Sequence, residues 1–413
     1  MQYLKQTDPV IAALIEKERN RQDKVLRMIP SENYASSAVM EAAGSILSNK
    51  YSEGYPGSRY YEGQQFIDEI EETAISRAKQ LFNAEHANVQ PYSGSPANMA
   101  VYLGLLGTGG RVLGMDLAAG GHLTHGAKVS FSGQYYKTAH YGLSRVTERL
   151  DYDGISKLAR EFKPQIIFCG ASAYPRKIDF AKFAEIAEDT NAFLVADVSH
   201  ISGLCITGEH PHPFPHADIV TSTTHKMLRG PRGGMILCKK SLGAKIDKAV
   251  FPGLQGGPHN ATISGIAVAL NEADTPEFKI YCRQVVANAK ALGEKLAEKG
   301  FKLVTGGTDT HLLLIDVTAA NLTGTVLAKA LDQAGIICNS NKIPFDQRPA
   351  NDPSGIRIGT AAITSRKMKE GEMKVVADLI SETAKNIDNE NVIIKIRTRV
   401  SELCRSFPAP GIK

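Results

Sequence analysis

No run in this chain of 413 residues approaches the ~20 consecutive apolar positions that a bilayer-spanning helix requires, so no membrane segment is expected. The first 27 residues hold no cationic stretch leading into an apolar one, and the reading is a soluble, untargeted, cytoplasmic protein. Cysteine is sparse: six residues, none in a C-x-x-C pair, which argues against a disulfide framework or a thiolate metal site and leaves them reduced, most of them in the core. Long Lys/Arg runs and basic stripes interleaved with aromatics are missing. With 48 basic against 43 acidic residues the net charge is only +5, so nucleic acid is not an expected partner. No glycine cluster has the Lys-Ser/Thr of a P-loop or the three-glycine dinucleotide spacing, and the pair His122 and His125 lacks the glutamate of a zinc protease motif. No metal is expected.

What is present is an ordinary globular composition, 43% hydrophobic and 22% charged, in a chain long enough for two cores. Short apolar runs alternate with amphipathic ones, the pattern of an α/β fold with a mostly parallel sheet covered by helices. Strands are expected at 87–89, 111–115, 165–169, 193–196, 219–221 and 235–238, and helices at 67–82, 96–106, 153–161 and 180–189. Thr7-Asp8-Pro9 reads as a helix start, with Val10, Ile11, Leu14 and Ile15 on one face. A helical pattern from Asn260 breaks at Thr275-Pro276 and resumes as far as Lys299. Beyond it, strands at 302–304, 312–317, 336–338 and 356–359 and two terminal helices make a small α+β unit. The expected organisation is an N-terminal helical arm (1–30), a large domain (31–276) and a small C-terminal α+β domain (277–413).

Lys226 lies between the hydroxyl-rich Thr221-Ser222-Thr223-Thr224 and the glycine-rich Gly230-Pro231-Arg232-Gly233-Gly234. A Schiff-base lysine of a pyridoxal phosphate enzyme has such a setting, because a partly desolvated ammonium loses its proton readily and the amine condenses with a carbonyl. Taken alone, a solvated surface lysine is the commoner case. Its companions change the weighing. Ser93-Gly94-Ser95 stands between a strand and a helix, where N–H groups and hydroxyls either cradle a phosphate or merely cap the helix. Asp197 ends an apolar strand, where open α/β sheets bind ligands; it can keep a pyridine nitrogen protonated, or cap a helix. His122, in the glycine-flanked Gly120–Gly126, suits stacking on a flat cofactor or proton transfer. Arg357, in an apolar strand bracketed by Gly355 and Gly359, wants a buried carboxylate, supplied either by a substrate or by a structural ion pair. With Lys226 and Asp197 it implies an amino-acid substrate. Glu53, flanked by Tyr51 and Tyr55, is an acid–base candidate or a solvated loop carboxylate.

These residues, together with Ser31-Glu32-Asn33-Tyr34, Arg59-Tyr60-Tyr61, Thr223-Thr224-His225-Lys226, Gln255-Gly256-Gly257-Pro258 and Ser354–Thr360, resemble the serine hydroxymethyltransferase family over nearly the full chain. The resemblance implies the aspartate-aminotransferase-like architecture, fold type I of pyridoxal phosphate enzymes. Pyridoxal 5'-phosphate would be covalent on Lys226 as an internal aldimine, and tetrahydrofolate would be the co-substrate. Asp197 would meet the pyridinium nitrogen and His122 the ring face, with Ser172 and His200 near the phenolic oxygen and Thr223 and His225 beside the lysine. Ser93, Gly94 and Ser95 would hold the phosphate, helped by Gly257 of a second subunit. Ser31, Tyr61, His200 and Arg357 would hold the substrate, Arg357 by its carboxylate. Glu53, Leu117, Gly121, Leu123, Phe251 and Asn341 match folate-site positions, and Glu53, Tyr51 and Tyr61 would reach the site across a homodimer interface, in a dimer or a tetramer.

The implied reaction reversibly moves the hydroxymethyl carbon of L-serine to tetrahydrofolate, giving glycine and 5,10-methylenetetrahydrofolate through carbanion and quinonoid chemistry, with Glu53 transferring the proton. Pro96 after the phosphate turn, Thr310 before His311 and Ala361 after Thr360 depart from the family pattern without removing an assigned group. The unusual segments 351–353 and 365–367 leave open a modified pterin such as tetrahydromethanopterin. Two other readings compete. One is a pyridoxal phosphate-dependent threonine or phenylserine aldolase, which would dispense with folate. The other is a catalytically silent or RNA-binding protein of the same fold, against which Lys226, Asp197, His122 and Arg357 speak.

Overall fold

Apolar runs buried on both faces need helices above and below them, and that requirement organises the larger part of the molecule. The computed structural model describes residues 2–412. Its main sheet has seven strands, β1 (His86–Asn88), β2 (Arg111–Met115), β3 (Lys137–Tyr141), β4 (Ile166–Cys169), β5 (Phe193–Asp197), β6 (Ile219–Thr223) and β7 (Gly234–Cys238). They lie in the order β1-β7-β6-β5-β4-β2-β3. Neighbours from β6 through β3 are all parallel; only β7 runs against the strands beside it. The sheet is thus mixed but mostly parallel, as expected. Strand β3 was not anticipated, because Lys137-Thr138-Ala139-His140-Tyr141 is an edge strand left largely half-buried and too polar to register as an apolar run.

The helices that matter for the site are α1 (Pro9–Lys24), α2 (Gln65–Phe82), α3 (Gly94–Leu105), α4 (Asn260–Ala273), α5 (Pro276–Glu298), α6 (Ala361–Ser365) and α7 (Glu390–Ser406). Helix α1 starts as its sequence dictates, with Pro9 in the first turn and the Asp8 carboxylate accepting the Ile11 N–H at 3.0 Å. Helix α5 begins in the core of the main sheet with Phe278, Cys282 and Val285, and ends in a second core with Leu292 and Leu296. One continuous helix therefore joins the two units.

The second core is built on an antiparallel sheet of β8 (Lys302–Leu303), β9 (Leu312–Asp316), β10 (Asn339–Asn341) and β11 (Gly355–Gly359), in the order β8-β9-β11-β10. The N-terminal arm is more than helical: Leu26–Arg27 pairs in parallel with Ile336–Ile337, and Leu26 and Met28 are buried in this core. All six cysteines are unpaired and five are buried. No helix among the described residues is long and apolar enough to cross a membrane.

Candidate active site

Parallel strands end on one edge of a sheet, and loops leaving that edge converge. Here β2 leads to the Gly120–Gly126 loop, β4 to Ser172, β5 ends at Asp197, and β6 runs into the lysine turn. Together with α3 and the second sheet they enclose a cavity of about 820 Å³. Among the residues named from sequence, Ser31, Ser93, Gly94, Ser95, Leu117, Gly121, His122, Leu123, Ser172, Asp197, His200, Thr223, His225, Lys226, Asn341 and Arg357 all line it.

Asp197 is the most heavily supported group in the cavity. Its Oδ2 accepts from His125 Nε2 at 3.0 Å and from Asn98 Nδ2 at 2.9 Å, and its Oδ1 from the Ser199 N–H at 3.1 Å. Burial alone would push this carboxyl up, but the His125 hydrogen bond and the histidines beside it hold it well below the usual carboxylate range. Asn98 in turn donates to Thr124 Oγ1 and accepts from Thr221 Oγ1. His125 and Asn98 were missed as site residues. Signals existed, since His125 lies three residues from His122 and Asn98 one turn along α3 from Gly94, but nothing local says that either meets Asp197.

The imidazole of His122 accepts the Thr124 N–H at Nδ1, 3.2 Å away, and burial lowers its pKa to about 4, so it is a neutral ring near pH 7. His200 is buried against His311, with ring centroids 5.6 Å apart, and burial pushes it well below the usual histidine value. Nδ1 of His225 is buried with no hydrogen-bond partner among the described residues.

The Lys226 amine donates to Thr223 Oγ1 at 3.2 Å. Burial, opposed by Asp197 and assisted by Arg357 and Arg232, lowers its pKa from 10.5 to about 8. Strand alternation puts Ile356 and Ile358 in the second core and turns Arg357 toward the cavity. There its guanidinium reaches only uncharged oxygens, Asn339 Oδ1 across the strand pair and the Ser172 carbonyl. It has no carboxylate partner among the described residues. The turn Ser93-Gly94-Ser95 opens α3 without a side-chain cap. A Cβ on Gly94 would lie 2.7 Å from Thr223 Cγ2, and one on Gly234 only 2.5 Å from the Ser93 carbonyl, so both glycines permit this close approach.

Five residues named from sequence, Tyr51, Glu53, Tyr61, Phe251 and Gly257, are not part of this cavity within one chain. They form a separate cluster, in which Tyr61 donates to Glu53 Oε2 at 3.1 Å, Tyr51 meets Tyr61 edge-on and packs on Gly257, and Phe251 packs against Tyr55 and Tyr60. Arg59 fastens the loop by donating to the carbonyls on either side of Glu53, at Ser52 and Gly54, while paired with Asp68 and Glu71.

The family profile described as serine hydroxymethyltransferase matches residues 4–380. The chain belongs to the serine hydroxymethyltransferase family. It is 57% identical to the serine hydroxymethyltransferase of Desulfotalea psychrophila over all 413 residues, covering 97% of that protein. It is 55% identical to that of Sorangium cellulosum, again over its full length and 98% of the relative. With the protein of that name from Acidothermus cellulolyticus it shares 56% identity over 98% of this chain and 96% of the other. Serine hydroxymethyltransferases are pyridoxal phosphate-dependent one-carbon transferases of fold type I, and the mixed seven-stranded sheet agrees with that fold.

Proposed function

We propose that this chain transfers the hydroxymethyl carbon of L-serine reversibly to tetrahydrofolate, with pyridoxal phosphate attached to Lys226. The observation that carries the residue assignment is a buried amine of lowered pKa sharing one cavity with a buried, ionised Asp197 and a buried Arg357 that has no carboxylate partner among the described residues.

Pyridoxal phosphate, when bound, supplies an electron sink for the pair left on the substrate Cα. Asp197, kept ionised by its hydrogen bonds, holds the proton on the ring nitrogen that makes the sink effective. Ser93, Gly94 and Ser95 offer hydroxyls and helix N-terminal N–H groups to the phosphate. The orphaned Nδ1 of His225 and the neutral ring of His122 provide further polar and flat surfaces for the group. Lys226 is the nucleophile that receives it, an amine poised near pH 8.

Arg357 takes the substrate carboxylate, with Ser31, Ser172 and His200 around it. Leu117 and Leu123, roughly half exposed at the cavity mouth, and Asn341 offer an apolar and a polar edge to the pterin. Glu53 moves the proton, supported by Tyr51 and Tyr61, and with Gly257 and Phe251 it is contributed by a second copy of the chain. The separation of this cluster from the cavity and the exposure of both tyrosines support a homodimer with shared sites. A cytoplasmic location accords with six unpaired thiols.

Borohydride reduction of the purified holoenzyme followed by peptide mass analysis should leave a pyridoxyl label on Lys226, and glycine formation from L-serine should depend on tetrahydrofolate. A label on another lysine rejects the assignment. Folate-independent cleavage of threonine or phenylserine that outpaces serine turnover makes the protein an aldolase, and a strict requirement for tetrahydromethanopterin changes the co-substrate.

A further inference from the structure

Lys226 is tied through its backbone as well as its side chain, and the residue that ties it does not line the cavity. Asn33 Nδ2 donates to the Lys226 carbonyl at 3.0 Å and to Tyr281 Oη at 2.8 Å. Asn33 Oδ1 accepts from Ser365 Oγ at 2.7 Å and from the Tyr34 N–H at 2.9 Å. Every bonding position of the carboxamide is thereby used. Tyr281, buried in α5, passes a further hydrogen bond to the Ala361 carbonyl at 3.1 Å. Ala361 and Ser365 are the two ends of α6, which follows β11, the strand carrying Arg357. On its other side Asn33 is two residues from Ser31, which does line the cavity.

One amide therefore links four segments: the lysine turn, the serine loop, α5 and the helix behind the arginine strand. The lysine turn needs such a tie. The other hydrogen bond to the Lys226 carbonyl comes from the Arg229 N–H at 3.1 Å, and Arg229 has φ of 57°, a left-handed conformation that non-glycine residues avoid. A strained turn persists only where its surroundings hold it.

We infer that Asn33 is a positioning residue for Lys226, its carboxamide setting the lysine backbone at a defined distance from the Ser31 and Arg357 side of the cavity. The inference rests on the pyridoxal phosphate reading of Lys226. Burial is the first cause of the lowered pKa of that amine. A loosened turn admits water and drives the pKa back toward its ordinary value.

Two variants separate positioning from bulk stability. Asn33→Leu removes all four hydrogen bonds at similar volume and adds no charge; Ser365→Ala leaves the amide in place and removes one of its anchors. In the full-length protein stripped of cofactor, the pH dependence of Lys226 acylation by an amine-reactive ester is read by peptide mass. In Asn33→Leu the midpoint should rise by about one pH unit, with labelling near neutral pH slowed about 10-fold. Ser365→Ala should shift it less, in the same direction. A midpoint equal to the parent's in both variants, even with a lowered Tm, overturns the inference. If Asn33→Leu does not fold, Ser365→Ala decides alone. Failure of the underlying cofactor reading is separate, since it appears as an unlabelled Lys226 in the borohydride experiment on the parent.

Discussion

Arg357 and Lys226 are cations placed where water is scarce, and among the described residues no carboxylate neutralises Arg357, so the cavity carries a standing demand for an anion. Removing the guanidinium should therefore act on substrate binding. Arg357→Ala is expected to raise the KM for L-serine about 100-fold, corresponding to about 3 kcal/mol for a charge-assisted carboxylate contact, with a smaller effect on kcat. Steady-state kinetics with saturating folate checks this, and an unchanged KM would sink the carboxylate assignment.

The lysine gives a pH prediction at the same scale. Only the neutral amine attacks, so cofactor capture by the stripped protein should rise with pH and level off above about 8. At pH 6, two units lower, the rate should be about 100-fold below the plateau. The linked stability has a definite sign. The folded protein disfavours charge on Lys226, so between pH about 8 and 10.5 the unfolded chain binds more protons and stability rises with pH. Stopped-flow absorbance and denaturant titrations read the two effects. Lys226, Asp197 and Arg357 were legible because each has a residue type and a local setting that narrows its chemistry. His125 and Asn98 were not, because their partner stands 72 and 99 positions away.

Among the elements, helix ends decide how the termini are fastened. Arg366, 1% exposed, points its guanidinium at the C-terminal ends of α1 and α7. It donates to the carbonyls of Gln22, Asp23, Cys404 and Phe407 and to Tyr34 Oη, so one fixed cation meets the negative ends of two helix dipoles. In the sequence the run Ser365-Arg366-Lys367 was only unusual. Its meaning depends on two helices from opposite ends of the chain. Arg366→Met keeps much of the volume but strands buried carbonyls, and should lower unfolding free energy by about 3 kcal/mol or more. Urea unfolding that placed the variant within about 1 kcal/mol of the parent would remove the role given to this clasp. Strand β3 shows the reverse limit, since an edge strand lacks the apolar signature by which buried strands are found.

At the scale of the whole molecule, one chain leaves Val10, Ile11 and Leu14 of α1 exposed, together with Ile46 and Phe66. The apolar face of α1 is thus uncovered in isolation, as a surface awaiting a partner would be. Shared sites predict complementation. When Lys226→Ala and Glu53→Ala chains are mixed to random dimers, half of the dimers are hybrids with one intact site of two, and about a quarter of parental activity should return. Mixtures as inactive as either parent variant would place Glu53 and Lys226 of the same chain in one site.

The sequence by itself determined the alternation of strands and helices, the chemistry of the groups at the strand ends and the family, because each depends on residue type and near neighbours. The tertiary structure decided which charges stay unpaired, that Asp197 is held ionised by two groups from other segments, and that Glu53 lies apart from Lys226 within one chain. Those are matters of distance between residues far apart in sequence, and of the water excluded between them.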